Sequence, residues 1–419
     1  METLITETTE YFALPSLEYQ VLLRIVTDLW NRETARNGLR LSFHSSRDEH
    51  FHGVLSVIRD NINRMPLPST FKKELLRFNE GISGEILKWS KYHNENYCLN
   101  IVVPKTVCWK PSGTINYEKT AKLLTQNSTL TIFTRLFLSF MYGFEDSTKE
   151  LLTVATENDS NQIKNTDAYF LSFWAEFLAL DTNSLWNDIR GNQEVENILI
   201  QVFRMSVKRR EIFVSEYIIK KLKPENKRNL VTIFEETTAI FYAFFPRVPF
   251  ITNFVHADIL CWLLHKLEKQ QQQRMLMKHP FPVLISYLEW PRQGLFLKMA
   301  NYLFKYLSGI HFGYLLKEIA YRKTHDSDFD YGTLFGQFWR HSHAAHKKYA
   351  IATKTCWSAL YHLFMIGDIQ NIEMCFENAT DDQKQKFLNS NWGTRMKIDL
   401  HHMGKNDLLN HLENCLPLK

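Results

Sequence analysis

Residues 358–376, SALYHLFMIGDIQNIEMCF, align without a gap with residues 134–152, TRLFLSFMYGFEDSTKELL, at a shift of 224 positions. Each stretch opens with a hydroxyl residue, has a Leu two positions later, a Gly in tenth place and an apolar pair at its end. Two helices joined at a glycine would place these residues on shared faces. The match therefore predicts helix pairs turning at Gly143 and Gly367, with at least one of these glycines in the left-handed conformation.

The closing apolar pair recurs along the chain, with a third apolar or small residue three positions after it. The five copies are Leu151-Leu152-Ala155, Ile218-Ile219-Leu222, Leu263-Leu264-Leu267, Leu315-Leu316-Ile319 and Cys375-Phe376-Ala379. Positions i, i+1 and i+4 lie on one helical face, and the second members are 67, 45, 52 and 60 residues apart. After the last copy, Thr380 and Gln383 match a capping box. The pattern predicts an all-α fold, an irregular α-solenoid of helix pairs.

The two aligned stretches resemble the ankyrin repeat, whose helix pair opens with Thr-Pro-Leu-His and turns at a glycine. Residues 134–137 and 358–361 occupy the opening, although both lack the Pro and the His, and the spacing exceeds the family's period. The resemblance is to a degenerate, ankyrin-like repeat, and it implies a stacked helical array with a binding role. Residues 86–93 and 108–110 also resemble members of a multigene family of uncharacterised helical-repeat proteins, which implies no activity.

Residues 97–115 interrupt the helical pattern, because Pro104, Pro111 and Gly113 lie there among β-branched residues. We interpret this stretch as an extended connection. It would separate an N-terminal helical cap, residues 1–115, from a helical-repeat region, residues 116–419. The final segment, 400–416, has Leu at helical spacing on one face and polar residues on the other, which predicts a capping helix for the array.

The composition excludes several classes of protein. Hydrophobic residues make up 45% of the 419 residues and aromatic residues 14%, whereas Gly and Pro number only 15 and 12. A chain with so many hydrophobic residues is a poor candidate for disorder. An all-β protein would need more Gly and Pro for its turns. The net charge of +5 is mildly basic, but no nucleic-acid-binding motif accompanies it. We therefore expect no nucleic-acid partner.

The sequence also bears on location. The first ten residues have three Glu and no basic residue, unlike a signal peptide. The longest apolar run, 239–245, is far shorter than the roughly 20 residues of a membrane span. The six cysteines include no Cys-x-x-Cys pair, so the usual zinc spacing is missing. We expect a cytoplasmic protein with no membrane span and no cofactor.

One region contains residue types that could bind a metal. Asp326, Asp328 and Asp330 form the opening of a calcium loop, but Tyr331 and Gln337 stand where such a loop needs Gly and Glu. We interpret the three Asp residues as an exposed loop between helices. The histidines His341, His343 and His346 follow, and a zinc site would need three or four converging ligands. As neighbours of Lys347 and Lys348, they are interpreted as surface residues and remain the weak metal candidates of the chain.

The chain contains none of the phosphate-loop, nucleophile-elbow or zinc-protease motifs. Aromatic clusters at residues 170–174 and 241–245 are interpreted as core rather than as a ligand pocket. The leading hypothesis is a non-enzymatic scaffold or adaptor that binds a protein partner on the surface of stacked helix pairs. The alternative is a metal-dependent enzyme that uses residues 325–346.

Overall fold

The computed structural model describes residues 16–32, 48–95, 107–164, 193–209, 211–222, 229–244, 254–407 and 410. Within these ranges the secondary structure is helical, apart from one isolated bridge between Trp109 and Ile115. The predicted all-α class is confirmed. In the described ranges no helix is both long and apolar enough to cross a membrane.

The contacts between Cα atoms divide the chain into two compact units, which we call the N-terminal unit, Glu10–Glu268, and the C-terminal unit, starting at Lys269. The boundary predicted near residue 115 does not coincide with this division. Residues on its two sides are joined within the N-terminal unit, since the Cys108 N–H donates to the Thr120 hydroxyl at 3.1 Å and the Tyr142 hydroxyl donates to His93 at 2.8 Å.

The first described part of the N-terminal unit, up to residue 95, has three α-helices, of which the third packs against both others. They are α1 (Leu17–Trp30), α2 (Asp48–Arg64) and α3 (Ser69–Ser90), and α3 continues as a π-helix, Lys91–Glu95. The described residues that follow form eight helices: α4 (Tyr117–Thr125), α5 (Ile132–Tyr142), α6 (Glu145–Val154), α7 (Glu157–Lys164), α8 (Gln193–Arg209), α9 (Ile212–Lys221), α10 (Asn229–Phe244) and α11 (Phe254–Lys266). Helix α5 packs against α4, α6, α7 and α9, and α8 packs against α9 and α10.

Among its described residues, the C-terminal unit contains ten α-helices and two short 3-10 helices, Gln293–Leu295 and Phe304–Tyr306. The α-helices are α12 (Lys269–Lys278), α13 (Pro280–Ser286), α14 (Phe296–Leu303), α15 (Gly309–His325), α16 (Tyr331–His341), α17 (Ala344–Ile351), α18 (Lys354–Met365), α19 (Ile369–Phe376), α20 (Asp381–Leu388) and α21 (Asn391–His402). Helix α15 packs against α13 and α18, and α18 packs against α21; in the same way α16 packs against α14 and α19. The triplet Leu315, Leu316 and Ile319 lies fully buried in α15.

The same glycine turn ends three helices. Gly143, Gly367 and Gly404 have φ angles of 67°, 73° and 69°. In each turn the glycine N–H donates to the carbonyl three residues earlier, and the next N–H donates to the carbonyl five residues before it, at 2.9–3.2 Å. These bonds satisfy carbonyls that the helix end leaves unpaired. The predicted left-handed conformation of Gly143 and Gly367 is confirmed, and the capping box of Thr380 and Gln383 forms as predicted.

In two of the helix pairs, a hydrogen bond between two hydroxyl side chains joins the first helix to the second. Ser139 accepts a hydrogen bond from Thr148 at 2.9 Å, between α5 and α6. Ser206 and Ser215 share one at 2.7 Å, between α8 and α9. In both bonds the two residues are nine positions apart in the sequence. The second bond lies 67 positions after the first, which is the shift that separates the first two apolar triplets. The shift of 67 positions therefore applies to these two side-chain contacts as well as to the first two apolar triplets.

Replacing the two turn glycines with Ala is expected to have unequal effects. At either position Ala must adopt a positive φ, which costs about 1 kcal/mol. At Gly367 the added Cβ would meet no atom within 4 Å, but at Gly143 it would lie 2.7 Å from the Tyr217 ring. We expect Gly143→Ala to lower the free energy of unfolding by about 2 kcal/mol or more and Gly367→Ala by about 1 kcal/mol. Urea-induced unfolding of the two variants measures this, and equal losses would contradict the contact with Tyr217.

Candidate functional site

The three Asp residues of the predicted loop have three separate structural partners. Asp330 caps α16, where its side chain accepts from the Thr333 N–H at 3.0 Å. Asp328 accepts from the Gln293 side chain at 2.7 Å. Asp326 ends α15, and one of its oxygens lies 4.0 Å from Arg322. Each carboxylate therefore has its own partner within the fold, and these contacts explain the Asp-x-Asp-x-Asp pattern without a calcium ion.

Arg322 is the centre of a buried ionic cluster behind that loop. Its side chain is buried on α15 and donates to Glu289 at 2.5 Å, to Glu318 at 2.9 Å and to the Leu288 carbonyl at 2.9 Å. Burial raises the pKa of the Asp326 carboxyl to about 6, because loss of solvation outweighs the nearby charge of Arg322. The cluster joins the chain near residue 289 to α15 and α16.

The three histidines differ in their surroundings. His341 and His343 are exposed, whereas His346 is buried. The Nε2 of His346 donates to the Leu307 carbonyl at 2.8 Å, and its Nδ1 has no hydrogen-bond partner among the described residues. The interpretation of His346 as a surface residue is wrong, because α17 turns this side chain toward α15, where its ring lies 5.2 Å from that of Phe312.

The rings of His343 and His346 lie 5.7 Å apart, and His341 adds no third ligand to them. Over the described ranges, no three His, Cys, Asp or Glu side chains lie close enough together to hold a metal ion. The residues 325–346 named for the enzyme hypothesis therefore belong to separate environments: the Arg322 cluster, the exposed end of α16 and the buried face of α17.

His346→Ala is expected to destabilise the protein by about 1–3 kcal/mol, because it leaves the buried Leu307 carbonyl without its donor. His341→Ala, an exposed control, is expected to stay within about 0.5 kcal/mol of the wild type. Thermal unfolding of both variants tests this. Metal analysis of the wild type and of the variant with all three histidines replaced by Ala tests the enzyme hypothesis, since stoichiometric zinc lost with these residues would favour it.

A second buried cluster, in the N-terminal unit, lies around the π-helix that follows α3. The Nδ1 of His93 donates to the Trp89 carbonyl at 2.7 Å, so its Nε2 accepts from the Tyr142 hydroxyl at 2.8 Å. Beside it, the Tyr92 hydroxyl donates to the Glu211 carboxylate. Trp89, His93, Tyr142 and Glu211 are buried and Tyr92 is half-buried. Turns of π-helix are often found at functional sites.

Burial changes the proton affinity of both acid–base groups in this cluster. It lowers the pKa of His93 to about 4, because the charged ring would lose its solvation. It raises the pKa of Glu211 to about 8, although the hydrogen bond from Tyr92 opposes this shift. Such shifts often mark functional sites. Here His93 and Glu211 are buried in the core, so their protonation affects the stability of the fold.

The sequence interpretation missed both clusters. Trp89, Tyr92 and His93 occupy positions i, i+3 and i+4, a spacing that does indicate one buried helical face. Arg322 gives no comparable signal, because an Arg between Tyr321 and Lys323 reads as an exposed helical residue. The aromatic cluster at 170–174 lies outside the described residues, as do residue 245 of the second aromatic cluster and nearly all of the predicted capping segment beyond residue 407.

Neither cluster has the arrangement of a nucleophile with its base, of a metal centre or of a phosphate loop. In the C-terminal unit, helices of neighbouring pairs pack against each other in a repeated order. Comparison with protein-family models, with curated proteins and with solved structures finds no match to this chain.

Proposed function

We propose that the protein is a non-enzymatic scaffold that binds a protein partner on the surface of stacked helix pairs, arranged as a degenerate, ankyrin-like solenoid. The observation that carries this proposal is the order of packing in the C-terminal unit. Helices α13, α15, α18 and α21 pack in sequence, and α14, α16 and α19 pack in a second sequence beside them. A stack in which each pair contacts its neighbours is the architecture of repeat proteins that bind partners along an extended surface.

Polar bonds between successive pairs support the same arrangement. Lys323 on α15 pairs with Asp368 at the start of α19, and the Asn371 side chain donates to the Gly332 carbonyl at 3.1 Å. One pair further on, the Tyr361 hydroxyl donates to Asp399 at 2.6 Å, from α18 to α21. Each bond joins helices of successive pairs, so the stacked pairs would form a rigid surface.

The test is the isolation of a partner and the reconstitution of its complex. The full chain, immobilised through a terminal tag, is used to capture proteins from a cell extract, and each candidate is then purified and mixed with the chain. We expect at least one complex of fixed stoichiometry in size-exclusion chromatography, with protection from hydrogen exchange on the helices of the C-terminal unit. If no purified candidate re-forms a complex, or if the chain converts a candidate chemically, the scaffold proposal is wrong.

A further inference from the structure

Charge is unevenly distributed along the helix pairs of the C-terminal unit. Residues 331–367 contain four Lys or Arg residues and no Asp or Glu. Residues 290–317 contain no Asp or Glu either. The carboxylates between these stretches belong to Glu318 and the Asp-rich loop, in the second half of α15 and beyond it. Glu318 is nine residues from Gly309, about 13 Å along the helix axis.

The basic residues meet at the opposite end of α15, around α17. The Tyr349 ring of α17 covers Gly309, the first residue of α15, so closely that a Cβ on Gly309 would lie 2.6 Å from it. The Lys347 ammonium donates to the Arg340 carbonyl at 3.4 Å, which places the first turn of α17 near the end of α16. The exposed residues here are Arg340, His341, His343, Lys348, Tyr349 and Ile310, and we call them the α17 surface.

Besides the absence of Asp and Glu from residues 331–367, two properties of the α17 surface suit it to an acidic partner. First, Arg340, Lys347, Lys348 and Lys354 form no ion pair within the described part of the chain, whereas other exposed cations, such as Lys386 with Asp382 at 2.7 Å, do. Second, large apolar side chains stand among these cations, since Tyr349 and Ile310 are each 45% exposed. Unpaired cations beside exposed apolar side chains are complementary to a partner with carboxylates and apolar residues.

We infer that the α17 surface binds an acidic segment of a partner protein, with its carboxylates on Arg340 and Lys348 and an apolar side chain against Tyr349 and Ile310. This inference rests on the proposed scaffold function and specifies the chemistry of its partner. A protein segment matches the surface better than a nucleic acid does, because a phosphate backbone offers nothing to Ile310.

The experiment measures binding of a fluorescent peptide of repeated Glu-Glu-Leu units to the full chain by anisotropy. The variant Arg340→Glu/Lys348→Glu reverses two charges of the α17 surface. The matched control Lys119→Glu/Lys122→Glu makes the same change on exposed positions of α4. We expect the first variant to weaken peptide binding at least about tenfold and the control to stay within about twofold. Raising the salt concentration to about 0.15 M or above is expected to weaken wild-type binding as well.

Circular dichroism and thermal unfolding establish that each variant is folded, and Arg340→Gln/Lys348→Gln replaces the first variant if it is not. The inference is overturned if the wild type does not bind the peptide, or if both charge-reversed variants bind it equally. It is also overturned if an oligonucleotide or a phosphatidylserine vesicle competes for the α17 surface more strongly than the peptide. A partner captured by the scaffold experiment that still binds Arg340→Glu/Lys348→Glu would refute this surface and leave the scaffold proposal standing.

Discussion

Arg322→Met is expected to lower the free energy of unfolding of the C-terminal unit by about 3–5 kcal/mol. The Met side chain fills much of the same volume but leaves the side chains of Glu289 and Glu318, which are 3% and 12% exposed, without a positive partner. An uncompensated buried carboxylate costs far more than the ion pair contributes, because it is removed from water with nothing to replace its solvation.

The measurement is urea-induced unfolding followed by hydrogen exchange of peptides from residues 280–340, because two compact units can unfold in separate steps. The control is Arg59→Met, which removes an ion pair to Glu80 at 2.8 Å from an arginine whose side chain is 51% exposed. That change is expected to cost less than about 1 kcal/mol. Equal effects of the two substitutions would contradict the structural importance of the Arg322 cluster.

Glu211→Gln is expected to make the protein more stable than the wild type at pH 8 and about equally stable at pH 4.5. The raised pKa means that folded Glu211 holds a proton which the unfolded chain releases above its ordinary pKa of 4.5. The stability of the wild type therefore falls as the pH rises from 4.5 to about 8 and levels off above that. Gln removes this loss, on the order of 4 kcal/mol over the whole interval, and can still accept the Tyr92 hydrogen bond.

His93 affects stability in the opposite direction over part of the same interval. Its pKa is lowered from 6.5 to about 4, so the unfolded chain binds a proton below pH 6.5 that the folded protein does not. The contribution of His93 to the free energy of unfolding is present above pH 6.5 and is lost as the pH falls toward 4. Between pH 6.5 and 8 the effect of Glu211 is therefore free of the effect of His93, and it amounts there to about 2 kcal/mol.

Thermal unfolding of the wild type and Glu211→Gln across this interval provides the test, with Glu150→Gln, exposed on α6, as the control. The control is expected to follow the wild-type curve at each pH. Parallel curves for the wild type and Glu211→Gln would mean that Glu211 does not keep its proton in the folded protein.

The features that the sequence predicted correctly are local ones. The all-α class follows from apolar spacing within single helices, and the turn at Gly367 from residues within five positions of it. The capping box at Thr380 involves a partner three residues away. Interactions of this range depend on neighbours in the sequence, so their residue types are enough to indicate them.

The features that the sequence did not predict depend on distant neighbours. Arg322 pairs with a carboxylate 33 residues earlier, and His346 bonds to a carbonyl 39 residues earlier. The partners Tyr92 and Glu211 are 119 residues apart. Helical periodicity says which face of a helix is buried but not what that face meets, so a buried Arg and a surface Arg have the same local pattern. The position of a partner-binding surface could not be predicted from the sequence for the same reason, because it depends on which helix faces the packing leaves exposed.

The order of helix packing in the C-terminal unit has a consequence for synthesis of the chain. Helix α13 has already been synthesised when its packing partner α15 leaves the ribosome. In the same way, α15 precedes its partner α18, and α18 precedes its partner α21. Chains emerge at about 5–20 residues per second, which is slow compared with helix formation. Each new pair can therefore dock onto a finished one, and the apolar face awaiting a partner at any moment is limited to the latest pair.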